Sequence, residues 1–246
     1  VHNFGQWSTD GTSFSFSSNT LERHRLDVYR HDINASEPEL VYSGTDSSEP
    51  IAWADNNQVI VVREGPRGDA SQLFAVNLIS GHQQCLTPDQ HGSTYEPAGL
   101  SPDGNLLYLR TDQESEFVGL ATLNLGSLQL LRLISLDWDI EDAILSPDGS
   151  SLIYSINRDA MSQLILRDLK TNLEKTLGEH PPGVISGLCW TQTSRAFAFA
   201  LNSPKTGSDI WSYSLDSAHL VKLTETPLNG IPRDSLVTPT VIRYQS

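Results

Sequence analysis

Apolar and polar residues alternate along this chain in short runs of three to six, and the runs return in the same order five times. Each return begins with an apolar residue, a small residue and then turn formers: Trp7-Ser8-Thr9-Asp10-Gly11, Trp53-Ala54-Asp55-Asn56-Asn57, Leu100-Ser101-Pro102-Asp103-Gly104, Leu145-Ser146-Pro147-Asp148-Gly149 and Trp190-Thr191-Gln192-Thr193-Ser194. The steps between the five leading residues, hereafter anchors, are 46, 47, 45 and 45 residues. A period that regular means one supersecondary unit copied along the chain.

Behind each turn stands a β-prone run: Ser13-Phe14-Ser15-Phe16, Val59-Ile60-Val61-Val62, Leu106-Leu107-Tyr108-Leu109, Leu152-Ile153-Tyr154-Ser155 and Ala196-Phe197-Ala198-Phe199. Alternation with β-branched and aromatic side chains marks these as strands. A polar stretch and a third run follow, such as Leu73-Phe74-Ala75-Val76 or Ile210-Trp211-Ser212-Tyr213. A further turn leads to a last strand, such as Cys85-Leu86-Thr87 or Val221-Lys222-Leu223-Thr224. With the apolar approach to each anchor as the first strand, every repeat holds four. A four-stranded antiparallel unit of this length is a propeller blade, so the fold class is all-β, a β-propeller with five detectable blades. Residues 1–225 carry the repeats, and 226–246 form a tail beyond them.

Composition narrows the function. At 246 residues the chain can bury a large core as one domain. Its apolar stretches, such as Ala196 to Leu201, are too short to span a bilayer, and no basic-then-apolar leader follows Val1. A formal charge of −14 with no basic stripe argues against nucleic acid and fits a soluble β-rich surface, or a basic ligand. Cys85 and Cys189 fall in different blades and different strand positions, which predicts two buried free thiols and a reducing, cytoplasmic compartment.

Three groups of residues invite a chemical reading. Asp10, Asp103 and Asp148 would ring a channel or metal in one reading. In the preferred reading they belong to turns, because Pro sets φ and Gly accepts positive φ in a Pro-Asp-Gly step. Arg63 and Arg110 stand ten residues after their anchors and could bind a carboxylate, although exposed strand-end arginines are the default expectation. Asp139, Glu141 and Asp142, within Asp137-Trp138-Asp139-Ile140-Glu141-Asp142, could hold a cation or amine, although a solvated loop between blades is the simpler expectation. No Gly-x-Ser-x-Gly elbow, zinc-spaced histidine pair, calcium loop or phosphate-cradling glycine loop is present, so no catalytic residue, metal site or cofactor is expected.

The two Leu-Ser-Pro-Asp-Gly repeats, each followed by an apolar-Tyr strand, resemble blades of TolB-like propellers and of the N-terminal, WD-like propeller of the prolyl oligopeptidase family of serine peptidases, particularly its acylaminoacyl-peptidase branch. Ser208-Asp209-Ile210-Trp211-Ser212-Tyr213 is similar to the third strand of those blades. The tail, Leu236-Val237-Thr238-Pro239-Thr240-Val241-Ile242-Arg243-Tyr244-Gln245-Ser246, resembles the family's exit from its last blade into an α/β-hydrolase domain. The resemblance implies a catalytic Ser, Asp and His after Ser246, and peptide substrates filtered by a propeller that caps the hydrolase cleft. It also implies seven or more blades in many relatives, so the five here are expected to be part of a larger propeller. Dipeptidyl-peptidase relatives hold the substrate amine with a Glu-Glu pair, which this chain lacks. Two other classes compete: a periplasmic TolB-like scaffold binding protein partners, and a five-bladed glycosidase, which would need carboxylates converging from several blades.

Overall fold

The computed structural model describes all residues except 55–56, 66–69, 88–91, 179, 238, 243 and 245–246, together with the side chain of Arg233. Among the described residues, twenty strands assemble into five four-stranded antiparallel sheets, each in simple sequence order. The first blade is β1 (His2–Trp7), β2 (Ser13–Ser18), β3 (Asp27–Asp32) and β4 (Glu39–Tyr42). The second is β5 (Ser48–Ala54), β6 (Val59–Glu64), β7 (Gln72–Asn77) and β8 (Gln83–Cys85). The third is β9 (Tyr95–Leu100), β10 (Leu106–Thr111), β11 (Gly119–Asn124) and β12 (Leu130–Ile134). The fourth is β13 (Ile140–Leu145), β14 (Ser151–Arg158), β15 (Met161–Asp168) and β16 (Glu174–Leu177). The fifth is β17 (Val184–Trp190), β18 (Ala196–Ser203), β19 (Gly207–Ser214) and β20 (His219–Lys222). The chain divides into two compact units: Val1–Ser135 holds three blades and Leu136–Ser246 holds two and the tail.

The turn after each anchor is closed by its own side chains. Ser8, Ser101 and Ser146 donate their hydroxyls to Asp10, Asp103 and Asp148 at 2.7, 2.5 and 2.6 Å. Those carboxylates also accept backbone N–H bonds from Thr12, Asn105 and Ser150. The serine hydroxyl bond is the main reason the Asp10 and Asp148 carboxyls are held down to about 2, and the same bond lowers Asp103. Gly11, Gly104 and Gly149 take the left-handed conformation four residues past the anchor, with φ of 70, 75 and 69°. Asn57 and Ser194, at the same repeat position, adopt φ of 67 and 58° without being glycine. These aspartates are turn residues; Asn56 lies outside the described residues.

Blades join through faces set by the same positions. Residues seven and nine after the anchor point toward the preceding blade: Ile60 and Val62 pack with Trp53 on Val28 and Tyr42. Leu107 and Leu109 pack on Val61 and Leu73 in the same way. In the second unit Phe197 and Phe199 pack with Trp190 on Ile153 and Leu164. Burying each such side chain is worth roughly 1.5–3 kcal/mol, so these seams hold each unit together. Two anchors add a hydrogen bond across the seam. The Trp53 indole N–H donates to the Gln6 carbonyl at 3.1 Å and the Trp190 N–H to the Ile144 carbonyl at 3.2 Å. In both cases the acceptor immediately precedes the anchor of the blade in front.

The thiols differ from expectation. Neither cysteine forms a disulfide, but Cys85 is only half-buried and Cys189 is exposed. Cys189 sits between Leu188 and Trp190, whose side chains are buried on the opposite face of β17. In the tail a 3-10 turn, Arg233–Ser235, follows the last strand. Ile242 and Tyr244 are exposed, whereas Thr238, Arg243, Gln245 and Ser246 lie outside the described residues. Among the described residues, no helix is long and apolar enough to cross a membrane.

Candidate functional site

The pairing of each first strand with its second is interrupted by a bulge, in all five blades. A bulge re-aims side chains and bends the strand that carries it. In the first unit β1, β5 and β9 lie beside one another and line a cavity of 620 Å³, bounded by Asn3–Gln6, Ser17, Glu49–Ile51, Glu96, Pro97 and Arg110.

Arg63 underlies this cavity. It lies on β6 opposite Glu49 of β5. Its Nη1 meets Glu49 Oε1 at 2.9 Å and its Nη2 meets Glu96 Oε1, on the next blade, at 3.2 Å. Nη1 also donates to the Gly65 carbonyl at 3.2 Å. Arg63 is 1 % exposed, so the expectation of an exposed strand-end arginine fails. The reason lies outside its own repeat: Glu96 arrives from the neighbouring blade and, with Glu49, compensates the buried charge. Arg110 occupies the matching place on β10, opposite Glu96, and lines the cavity half-buried.

Glu49 and Glu96 are the residues that sequence reasoning missed. Both stand four residues before an anchor, as does Glu141 in the fourth blade, and Asn3 and Ser186 hold that place in the others. That repeat position carried the signal. The cavity thus combines two carboxylates, one guanidinium at its surface and a second beneath, with the amide and hydroxyl groups of Asn3, Gln6 and Ser17. Such a lining can take the polar backbone and charged ends of an extended chain. It offers no nucleophile paired with a base.

The acidic segment lies in the second unit, where only 137–139 form a loop and Glu141 and Asp142 belong to β13. The expectation of a solvated loop therefore holds for the exposed Asp139 and not for the other two. Glu141 is the residue skipped by the bulge; it accepts hydrogen bonds from Asn157 Nδ2 at 2.8 Å and Ser162 Oγ at 3.1 Å. Asp142 accepts from the backbone N–H of Ala143 at 2.9 Å and of Leu188, in the next blade, at 3.3 Å. These bonds tie β13 to β14, β15 and β17. Among the described residues, no group of three or more metal-ligating side chains comes together.

Sheets of this order with bulged, cavity-lining first strands are propeller blades. No family model and no curated protein matches the sequence. Solved structures do match. One, from a study of two prolyl endopeptidases and the role of inter-domain dynamics in their catalysis and specificity, is 13 % identical with a TM-score of 0.75. The match covers 93 % of this chain and 36 % of that one. Prolyl oligopeptidase B from Galerina marginata, bound to a 35-residue hydrolysis and macrocyclization substrate, is 14 % identical with a TM-score of 0.75, over 94 % of this chain and 35 % of its own. TolB from Acinetobacter baumannii is 16 % identical with a TM-score of 0.66, over 89 % and 54 %. The chain therefore has the fold of a prolyl oligopeptidase-type propeller, and it spans about a third of the length of the peptidases it matches.

Proposed function

We propose that this propeller caps an α/β-hydrolase domain of the same polypeptide, in a cytoplasmic serine peptidase of the prolyl oligopeptidase type, and filters which peptides reach it. The observation that supports this reading is the cavity among β1, β5 and β9, polar and charge-balanced, in a fold shared with the propeller region of prolyl oligopeptidases. Arg110, Glu49 and Glu96 meet the substrate's polar groups, and Arg63 positions the two carboxylates. Asp139, Glu141 and Asp142 form a separate candidate substrate-facing group on the fourth blade, with Glu141 at the repeat position that Glu49 and Glu96 hold in their own blades. The filter is steric: extended peptides pass and folded proteins do not.

The test is hydrolysis by the polypeptide that joins this chain to its hydrolase domain. Short peptides are cut and folded proteins are not, and Arg110→Ala raises KM for peptides while leaving kcat unchanged. Equal cleavage of folded and short substrates, or an Arg110→Ala variant with unaltered KM, overturns the filter. The TolB likeness favours a second reading, a periplasmic scaffold that binds protein partners.

A further inference from the structure

Four places in the sequence set an acid or its amide directly before a glycine: Asp10-Gly11, Asp103-Gly104, Asp148-Gly149 and Asn229-Gly230. Glycine has no Cβ to hinder a close approach, so its amide nitrogen can reach the Cγ of the side chain before it. A ring closes there only if that nitrogen is free of hydrogen bonds and the side chain is free to turn. The three anchor turns deny both. The N–H groups of Gly11, Gly104 and Gly149 donate to the carbonyls of Ser8, Ser101 and Ser146 at 3.0, 2.8 and 2.8 Å. The aspartates are tied by the serine hydroxyls, which also hold their carboxyls below the usual range, and an ionised carboxylate is a poor electrophile. Asn229 and Gly230 differ on each count. Both are exposed, at the corners of a turn with φ of 48 and 89°, closed by the Ile231 N–H on the Leu228 carbonyl at 2.9 Å. Among the described residues, neither the Gly230 N–H nor the uncharged Asn229 carboxamide forms a hydrogen bond. An exposed turn held by so little opens locally at little cost.

We infer that Asn229 is a site of spontaneous deamidation, by attack of the Gly230 nitrogen on its side-chain carbonyl carbon. Hydroxide takes the Gly230 N–H proton and the nitrogen bonds to Cγ. The Cγ–Nδ2 bond breaks, and Nδ2 leaves as ammonia with a proton from water, which returns the hydroxide. Water then opens the cyclic imide at either carbonyl. One opening leaves aspartate at position 229; the other leaves an isoaspartyl link, in which the main chain runs through Cγ and is longer by a methylene. Either product adds a negative charge to a chain of formal charge −14. The change is confined to the tail, because the chain is fixed to the fifth blade just ahead of it. There the Thr226 N–H donates to the buried Asp209 carboxylate at 2.7 Å and the Thr226 hydroxyl to the Ser208 carbonyl at 2.5 Å. The inference holds for this chain independently of the peptidase reading.

The test is peptide mapping by mass spectrometry after the folded chain is incubated at neutral and at mildly alkaline pH, with an unincubated sample as background. Trypsin releases residues 223–233, which contain Asn229. That peptide gains the mass of OH for NH2, faster at the higher pH, and part of the product accepts a methyl group from an isoaspartyl methyltransferase. Gly230→Ala, in the exposed turn, leaves thermal melting unchanged and slows the gain. Asp103→Asn sets an Asn-Gly pair in an anchor turn. In the folded chain it deamidates roughly tenfold more slowly than Asn229, since ordinary hydrogen bonds must open before the ring can close. In urea the two rates converge. A 223–233 peptide that keeps its mass in the folded chain while the unfolded chain deamidates overturns the inference, because the turn then protects Asn229. Deamidation indifferent to Gly230→Ala overturns the route through Gly230. Asp103→Asn reacting as fast as Asn229 in the folded chain overturns the part assigned to hydrogen bonding.

Discussion

Replacing Arg63 by methionine tests whether the charges beneath the cavity stabilise the first unit. Methionine keeps most of the buried volume and withdraws the guanidinium from Glu49 and Glu96, which it meets at 2.9 and 3.2 Å. Removing one partner of a buried pair costs about 3–5 kcal/mol, because the remaining charge loses its compensation. The glutamates retain 24 % and 20 % side-chain exposure, so water reaches them and the loss falls at the low end, about 3 kcal/mol. With a urea dependence of roughly 3 kcal/mol per molar, the midpoint of unfolding drops by about 1 M. Urea titration followed by circular dichroism reads this directly. Adding Glu49→Gln and Glu96→Gln to Arg63→Met recovers most of the loss, since no charge is then left to compensate. A loss below about 1 kcal/mol would place Arg63 with ordinary surface pairs and refute the reasoning. A triple variant no more stable than Arg63→Met would refute it equally.

Three other outcomes follow from single observations. Gly187 has φ of +65° within the bulge of β17, and a Cβ there would meet nothing within 4 Å. Gly187→Ala therefore costs only the left-handed backbone penalty, about 1 kcal/mol, measured by thermal melting; a neutral substitution refutes this. The depressed carboxyls of Asp10, Asp103 and Asp148 contribute stability that is present above their unfolded pKa and lost as pH falls through their folded values, about 2 for Asp10 and Asp148. Stability measured between pH 4 and about 2 thus declines, and Asp148→Asn flattens that decline; an unchanged slope contradicts it. Cys189, being exposed, reacts with a maleimide faster than half-buried Cys85 under native conditions, and equal rates contradict the assigned exposures.

What the sequence displayed was whatever is local. The turn after each anchor is written in five consecutive residues, and Asn57 and Ser194 adopt the glycine conformation because the hairpin demands it. What it concealed depends on neighbours. Arg63 looks like Arg110 in its own repeat, and its burial is decided by Glu96 on the next blade. A bulge breaks the alternation of each of these first strands, two residues before the anchor in β5 and β9 and at Glu141 itself in β13, so strand parity alone does not show where Glu49, Glu96 and Glu141 face. Cys189 is exposed because it faces away from Leu188 and Trp190 on β17, a matter of strand parity that residue type does not convey. Trp7, Trp53 and Trp190 share one letter and one repeat position, yet Trp7 is exposed while Trp53 and Trp190 are buried and reach a carbonyl of the blade in front.

The sequence of the gene on both sides of the chain tests most directly the proposed role of this propeller in a peptidase. An α/β-hydrolase segment with a Gly-x-Ser-x-Gly elbow directly after Ser246 is the expected result. A stop codon there, with a secretory leader upstream of Val1, would contradict it and leave a periplasmic binding scaffold in its place.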